Sequence, residues 1–218
     1  MTFFLNSYLL SMTYLSKGFG GNHLMDESNE KPWKIPSAGF RSQKAAQICA
    51  FFAGQNRGPI DKLKLIKLIY LSEREFLSKH NTPMLFDEFY SLPRGPICSN
   101  ALNGINGRLK DMTVWDKYIL RNGNLVVNVE PINRDLLDHI SDAEMEVLEG
   151  VWEQFSNMNA SELSNYTHEN CPEYTETGRR VRISYREILE ALGEEDAIEI
   201  ANDISNYMKF QGMLESSA

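Results

Sequence analysis

Residues 62–79 constrain the fold of this 218-residue chain more than any other segment, because their apolar side chains follow a wide helical stripe. The apolar positions recur at helical spacing and are Leu65, Ile66, Leu68, Ile69, Tyr70, Phe76 and Leu77. The opposite side carries Lys64, Lys67, Glu75 and Ser78. A stripe this wide predicts a helix at the centre of the fold rather than one on its surface.

Helical periodicity also predicts helices over residues 42–55, 98–110, 141–155, 160–168, 185–192 and 197–210. Ser141 and Glu144 have the spacing of a capping box, and Asp61 is placed to cap the central helix. Residues 86–92 alternate like a short strand, and the segments 115–120 and 124–129 flank the hairpin signal at 121–123. We therefore expect a mainly α (α+β) fold, a single helical domain with a small β-hairpin or sheet.

A flexible N-terminal tail is expected to precede this domain. Residues 1–15 are apolar, but they lack a basic start and are too short to span a bilayer. We expect residues 1–24 to be an upstream extension or a flexible arm, and an arm that docks on a partner is the alternative. The expected organisation is a tail over 1–41, a domain over 42–211 and a C-terminal tail over 212–218.

The net charge of −8 argues against a general nucleic-acid binder, because an acidic chain gains nothing from releasing counterions. Cys49, Cys98 and Cys171 are odd in number and widely spaced, which favours a reducing cytoplasm over a disulfide framework. The histidines and cysteines show no two pairs at metal-ligand spacing, and no phosphate-binding loop is present. No cofactor is expected.

Three short segments of the chain, taken in their order and spacing, can be compared with known families. They are Lys67–Arg74 (KLIYLSER), Tyr90–Pro96 (YSLPRGP) and Asn103–Gly107 (NGING). Further matching segments follow them and read LEGVWEQF, LSNYTH, CPEY and ISYREI. The order and spacing resemble the Panacea domain, the SocA-like, phage-associated antitoxin family, over about residues 42–207. Arg94 stands where this family commonly has histidine, and Tyr174 stands where tryptophan is frequent.

The resemblance implies an antitoxin of a type II-like toxin–antitoxin system, which neutralises the toxin of a neighbouring gene by direct protein–protein binding. An adaptor that delivers the toxin to a AAA+ protease is the alternative. Neither a membrane nor a nucleic acid is expected as a partner, and an oligomer with the toxin remains open.

The turn at residues 93–96 is the strongest candidate for a binding element, since two prolines and a glycine would hold an exposed Arg94 rigidly. The alternative is a turn that only connects a strand to a helix. We expect a partner-binding surface built from Glu73, Arg74, Tyr90, Arg94, Gly95, Pro96, Ser99 and His168. Most charges placed like Glu73 and Arg74 are solvated flanks, and the alternative is a buried ion pair, with Asp87 or Glu88 as further acidic candidates.

An enzymatic reading rests on Cys98, which follows the turn at a predicted helix N-terminus where its thiol pKa would be lowered. His168 would be its base in a cysteine-dependent hydrolase. A buried cysteine acting as a small hydrophobic residue is far commoner, so we expect no enzyme. Arg179, Arg180 and Arg182 form the basic cluster of the chain and are expected to lie in a solvated loop.

Overall fold

The computed structural model describes residues 33–56 and 58–217. The described elements comprise eight α-helices, one 3₁₀ turn and six short strands. The helices are α1 Ser42–Gln55, α2 Lys62–His80, α3 Ser99–Ile105, α4 Thr113–Tyr118, α5 Asp142–Phe155, α6 Ala160–Asn170, α7 Tyr185–Ala191 and α8 Ala197–Ser216. The strands are β1 Ile60–Asp61, β2 Phe89–Leu92, β3 Gly95–Cys98, β4 Ile119–Asn122, β5 Leu125–Asn128 and β6 Val181–Ile183, and the 3₁₀ turn is Arg134–Leu136. The predicted fold class, mainly α with small sheets, is confirmed.

Helix α2 is the central helix that the apolar stripe predicts. Asp61 caps its start by accepting a 2.7 Å hydrogen bond from the Leu63 amide, and Asn81 ends it in the left-handed region at φ +52°. The helix packs against α1, α5, α6 and β3. The prediction that Lys64 and Lys67 lie on a polar, solvent-facing side of this helix is wrong, because Lys67 is fully buried and Lys64 is nearly so. Helices on several sides leave no solvent face for either residue.

Two antiparallel three-stranded sheets flank the helices, in the orders β3–β2–β6 and β1–β5–β4. In the second sheet the hairpin turn lies at Gly123–Asn124, and Asn122 pairs with Leu125. The predicted first strand of this hairpin is therefore wrong over residues 115–118, which belong to α4. Trp115 and Tyr118 are buried there at helical spacing, and this burial outweighs the β-propensity of aromatic residues.

Side-chain caps fix where several helices begin. The predicted capping box of Ser141 and Glu144 is confirmed at the start of α5. Equivalent boxes stand at Asn159 for α6 and at Ser184 for α7. Each box satisfies backbone N–H groups that no helical carbonyl can reach.

Residues on both sides of the predicted domain make contacts that a flexible tail would not make. The Lys34 amide donates to the Arg108 carbonyl at 2.8 Å, and the Arg41 amide donates to the Leu85 carbonyl at 3.0 Å. Helix α8 continues through residues 212–216, which the sequence predicts as part of a C-terminal tail. The flexible tail and the extension expected over residues 1–24 lie outside the described residues. Within the described ranges, no helix is both long and apolar enough to cross a lipid bilayer.

Trp115 fills the space beside Gly104 of α3 and is fully buried. Its indole Nε1–H donates to Ser42 Oγ at 2.9 Å, which ties α4 to the start of α1. A methyl group on Gly104 would overlap the indole ring. The ring is held by that hydrogen bond and by close packing, so it has little freedom to move aside.

Gly104→Ala is expected to lower the free energy of unfolding by about 1–3 kcal/mol, because the new methyl group overpacks the core. Gly150→Ala is the matched control, since Gly150 also lies inside a helix but has open space at the Cβ position. This control should stabilise the protein by about 0.5–1 kcal/mol through helix propensity. Chemical denaturation measures both, and equal effects of the two substitutions would contradict the packing described for Trp115.

Candidate functional site

The hairpin between β2 and β3 carries the motif that the sequence singled out. Pro93 and Arg94 form its two-residue turn, Leu92 pairs with Gly95, and Gly95 has φ +94°. A Cβ at Gly95 would lie 2.7 Å from Lys67 Nζ and 2.8 Å from both His168 Cδ2 and Thr167 Oγ1. Both the backbone angle and the close approach of these side chains therefore require glycine here.

Three side chains from other elements hold the backbone of this hairpin. Lys67 Nζ donates to the Pro96 carbonyl at 2.7 Å, Ser164 Oγ donates to the Arg94 carbonyl at 2.8 Å, and Tyr174 OH donates to the Leu92 carbonyl at 3.2 Å. Every second carbonyl from residue 92 to residue 96 is thus fixed from outside the sheet. The turn is therefore held in place by hydrogen bonds from side chains outside the hairpin.

Arg94 itself does not take part in this anchoring through its side chain. It is exposed, and within the described part of the chain its guanidinium makes neither a hydrogen bond nor an ion pair. A planar guanidinium on a fixed backbone can form two parallel hydrogen bonds with a carboxylate. The site can therefore offer a pre-oriented cation to another molecule.

Lys67 is unusual because a fully buried amine supports the turn. Burial lowers the pKa of the Lys67 amine to about 7. The imidazole of His168 is nearby, where it stacks on the Tyr174 ring at 4.4 Å, and its buried Nε2 has no hydrogen-bond partner among the described residues. Lys67 and His168 together form the inner wall of the hairpin.

Arg74 is held by Glu173, an acid that is not among the predicted site residues. Its Nε donates to Glu173 Oε1 at 2.8 Å, and Tyr70 OH donates to the same oxygen at 2.6 Å. Burial alone would lower the pKa of Arg74, but the Glu173 carboxylate raises it above its usual value. Glu173 belongs to the CPEY segment, so the family resemblance was the available signal for it. Asp87 and Glu88 do not pair with Arg74.

Glu73 lies inside the protein, so its interpretation as a solvated flank is wrong. Its side chain is 1% exposed, and neither carboxylate oxygen has a hydrogen-bond partner among the described residues. Burial first, and then the Asp87 carboxylate, raises the pKa of Glu73 to about 8. The Leu85 amide opposes this rise, although its geometry falls short of a hydrogen bond. Glu73 is therefore mainly protonated at neutral pH.

Asp87 caps the N-terminus of α3, although it lies before strand β2 in the chain. One of its oxygens accepts from the Asn100 amide at 2.8 Å, and the other accepts from the Ala101 amide at 2.9 Å. Burial raises the pKa of Asp87 to about 6, while these N–H donors hold it lower than burial alone would. This cap fixes the start of α3, which directly follows strand β3, while Cys98 occupies the N-cap position without a side-chain hydrogen bond.

Tyr90 and Ser99 are covered by an arginine of the basic cluster. The Arg180 guanidinium lies 3.6 Å from the Tyr90 ring centroid, and its Nη2 donates to Ser99 Oγ at 2.8 Å. Arg180 is itself exposed and lies in a loop, as expected for this cluster, whereas Arg182 lies within a strand, β6, that the sequence does not predict. The sheet register brings Arg182 opposite Tyr90.

Cys98 does not have the environment of a nucleophile. It is fully buried, and burial together with the Asp87 and Glu73 carboxylates raises its thiol pKa well above the usual value. The lowered pKa expected from a helix N-terminus is therefore wrong. The described residues also contain no group of three or more metal-binding side chains.

The eight candidate binding residues thus differ in what they can reach. Arg94 is exposed, whereas Arg74, Tyr90 and His168 are half-buried. The remaining four are buried: Glu73, Gly95, Pro96 and Ser99. The structure brings Gly95, Pro96 and His168 together around Lys67, and it places Tyr90 and Ser99 under Arg180.

Glu73→Gln is expected to stabilise the protein increasingly as pH rises from 4.5, the usual pKa of glutamate, to about 8. The folded protein retains the Glu73 proton up to about pH 8, whereas the unfolded chain releases it near pH 4.5. Stability of the natural protein therefore falls through this window, by up to about 1.4 kcal/mol per pH unit. Denaturation of both proteins across the window measures the difference.

The exposed Glu75 on the same helix supplies the control for this titration. Its side chain is 48% exposed, and Glu75→Gln should change stability by nearly the same amount at each pH. A difference between Glu73→Gln and the natural protein that does not vary with pH would contradict a buried, protonated Glu73.

Comparison with known proteins places this sequence in a family. No curated protein and no solved structure matches the chain. The sequence model of the SocA-like antitoxin family, the Panacea domain, matches residues 65–173, which run from within α2 to Glu173. The chain belongs to the SocA-like antitoxin, Panacea domain family.

Proposed function

We propose that this protein neutralises a cognate protein toxin by binding it directly, and that Arg94 contacts the toxin. The observation that carries the proposal is the fixed turn that displays Arg94 without using its guanidinium internally. The antitoxin family supplies the kind of partner. Buried side chains hold the turn in place, so binding need not order a flexible loop.

The candidate residues divide into contacting and positioning residues in this proposal. Arg94 contacts the partner, and the half-buried Arg74, Tyr90 and His168 form the adjoining surface. Gly95, Pro96 and Ser99 act from inside by fixing the hairpin, and Glu73 is buried in the central helix behind it. The partner then presents a carboxylate to Arg94, since arginine pairs with carboxylates bidentately and is frequent at interface hot spots.

The three cysteines are free and buried, which suits a reducing compartment, and we place the complex in the cytoplasm on that ground. Neutralisation in this proposal is steric: the bound domain covers the functional face of the toxin. Delivery to a AAA+ protease would instead shorten the lifetime of the toxin.

The experiment that tests the proposal expresses the neighbouring open reading frame from an inducible promoter, with and without this chain. Growth arrest by the neighbour and recovery with this chain would support the antitoxin function. Steady toxin levels during recovery support masking, whereas a protease-dependent fall in those levels supports delivery. A harmless neighbour, or arrest without recovery, overturns the proposal for this pair.

Arg94→Glu is expected to weaken toxin binding at least about tenfold and to abolish growth recovery, because it removes a bidentate donor and opposes the partner's carboxylate. Its thermal midpoint should stay close to that of the natural protein, since the side chain is exposed. Arg108→Glu is the matched control, with the same charge change at another exposed arginine. Isothermal titration measures affinity, and unchanged binding by Arg94→Glu would exclude this turn from the interface.

Ser164→Ala should weaken binding severalfold although Arg94 remains, because it releases the Arg94 carbonyl from its 2.8 Å hydrogen bond. The loss of stability should be only about 1 kcal/mol. In an Arg94→Ala background the same substitution should have no further effect on affinity. Equal effects of Ser164→Ala in both backgrounds would contradict a positioning role for Ser164.

A further inference from the structure

Helix α8 has two faces of different character, and one of them has no partner in the described structure. Its buried residues are Ala197, Ala201 and Ile204, all on the face toward α7 and the rest of the domain. Four large apolar residues in its second half are exposed, at 37% to 66% of their surface: Tyr207, Phe210, Met213 and Leu214. Tyr207, Phe210 and Leu214 follow helical spacing and share one side of the helix.

The inward face of this part of α8 is already occupied. The Gly39 amide donates to Glu215 Oε1 at 3.3 Å, and a Cβ at Gly212 would lie 2.9 Å from the Ala38 Cβ. The Tyr207 ring packs at a tilt against the Phe86 ring along the edge of the stripe, with the ring centroids 4.4 Å apart. These contacts fix the rotation of α8 about its axis, so Phe210 and Leu214 stay outward.

Charge indicates what kind of molecule fits this face. At the start of α8 the exposed Ile198 lines a shallow groove of about 350 Å³ together with Glu195, Asp196, Glu199 and Asp203. The helix itself contains one basic residue, Lys209. A second copy of this acidic chain would bring like charges together, whereas a basic segment would be attracted.

The location of this surface separates it from the portion matched by the family. Among the described residues, nine large hydrophobic side chains are exposed, and only Leu120 and Leu125 of these lie within residues 65–173. The apolar stripe of α8 begins more than thirty residues after that portion ends. Its occupant is thus not specified by the shared segment.

We infer that the outward face of α8 docks a basic, amphipathic segment of the toxin, whose apolar residues cover Phe210 and Leu214 while its lysines or arginines meet Glu199 and Asp203. This inference rests on the proposed function and adds a second contact to that of Arg94. The 20-residue helix is about 30 Å long, enough to seat a segment of several turns. The mode is packing of an amphipathic segment along an exposed helix face, driven by apolar anchors and directed by charge.

The test uses the full chain and the product of the neighbouring gene as the probe. Phe210→Glu/Leu214→Glu should weaken binding at least about tenfold, because two apolar anchors become charged. The control is Gln154→Glu/Asn165→Glu, which adds the same charge at exposed positions of α5 and α6. Glu199→Lys/Asp203→Lys should slow association and weaken its dependence on salt, with Glu146→Lys/Glu149→Lys as its control.

The outcomes separate this inference from the function on which it rests. If the natural protein restores growth and the Phe210/Leu214 variant binds within twofold of it, the docking face is wrong and the antitoxin function stands. If the natural protein neither binds nor restores growth, the function fails and the inference falls with it. If the Phe210/Leu214 variant loses binding, but the affinity of the natural protein is changed neither by Glu199→Lys/Asp203→Lys nor by salt, then the segment is not basic.

Two measurements on the free protein examine the other occupants. Sedimentation velocity should show the same species for the natural protein and the Phe210/Leu214 variant, and a dimer lost on substitution would assign the face to a second copy. Their thermal midpoints should also agree. A lower midpoint for the variant alone would show that another segment of this chain covers the face, and would overturn the inference.

Discussion

Because Lys67 is buried at the centre of α2, its amine must find an acceptor inside the protein, and it finds the Pro96 carbonyl at 2.7 Å. This contact sets the distance between the central helix and strand β3. Gly95 then approaches so closely that no side chain fits there, and the hairpin turn is left at the surface with its backbone fixed. The position of the exposed Arg94 therefore depends on the burial of Lys67 in the core.

The same helix carries a second polar system one turn further along. Tyr70 and Arg74 converge on a single oxygen of Glu173, and so attach α2 to the segment that follows α6. Glu73, one residue from Arg74, has no such partner among the residues that the structure describes, and it retains its proton instead. The two buried acids beside this helix thus illustrate two solutions: Glu173 is paired with Arg74, and Glu73 is kept neutral.

The sequence predicted those features that local rules determine. The central helix, the Asp61 cap and the Ser141–Glu144 box depend on periodicity and on spacing within one turn.

Sequence-based prediction failed where contacts between distant segments decide the outcome. Lys67 and Glu73 look like surface charges until the surrounding elements enclose them, and Glu173 lies about a hundred residues from its arginine. Strand β6 forms along the edge that β2 offers, and its three residues are too short a run for local propensity alone to predict a strand. Of the site, the turn and Arg94 were accessible to sequence reasoning, but the side chains that hold the turn were not.

Strand β6 also protects the sheet that holds the turn. β2 pairs with β3 on one side and with β6 on the other, so its backbone donors and acceptors are satisfied along both edges. β6 is supplied by residues 181–183, beyond the segment that defines the family. A chain ending at residue 173 would leave β2 as an open edge, with unpaired N–H and C=O groups next to apolar side chains, and such an edge invites pairing with other chains. The downstream strand therefore acts as a guard against aggregation for the sheet that supports the turn.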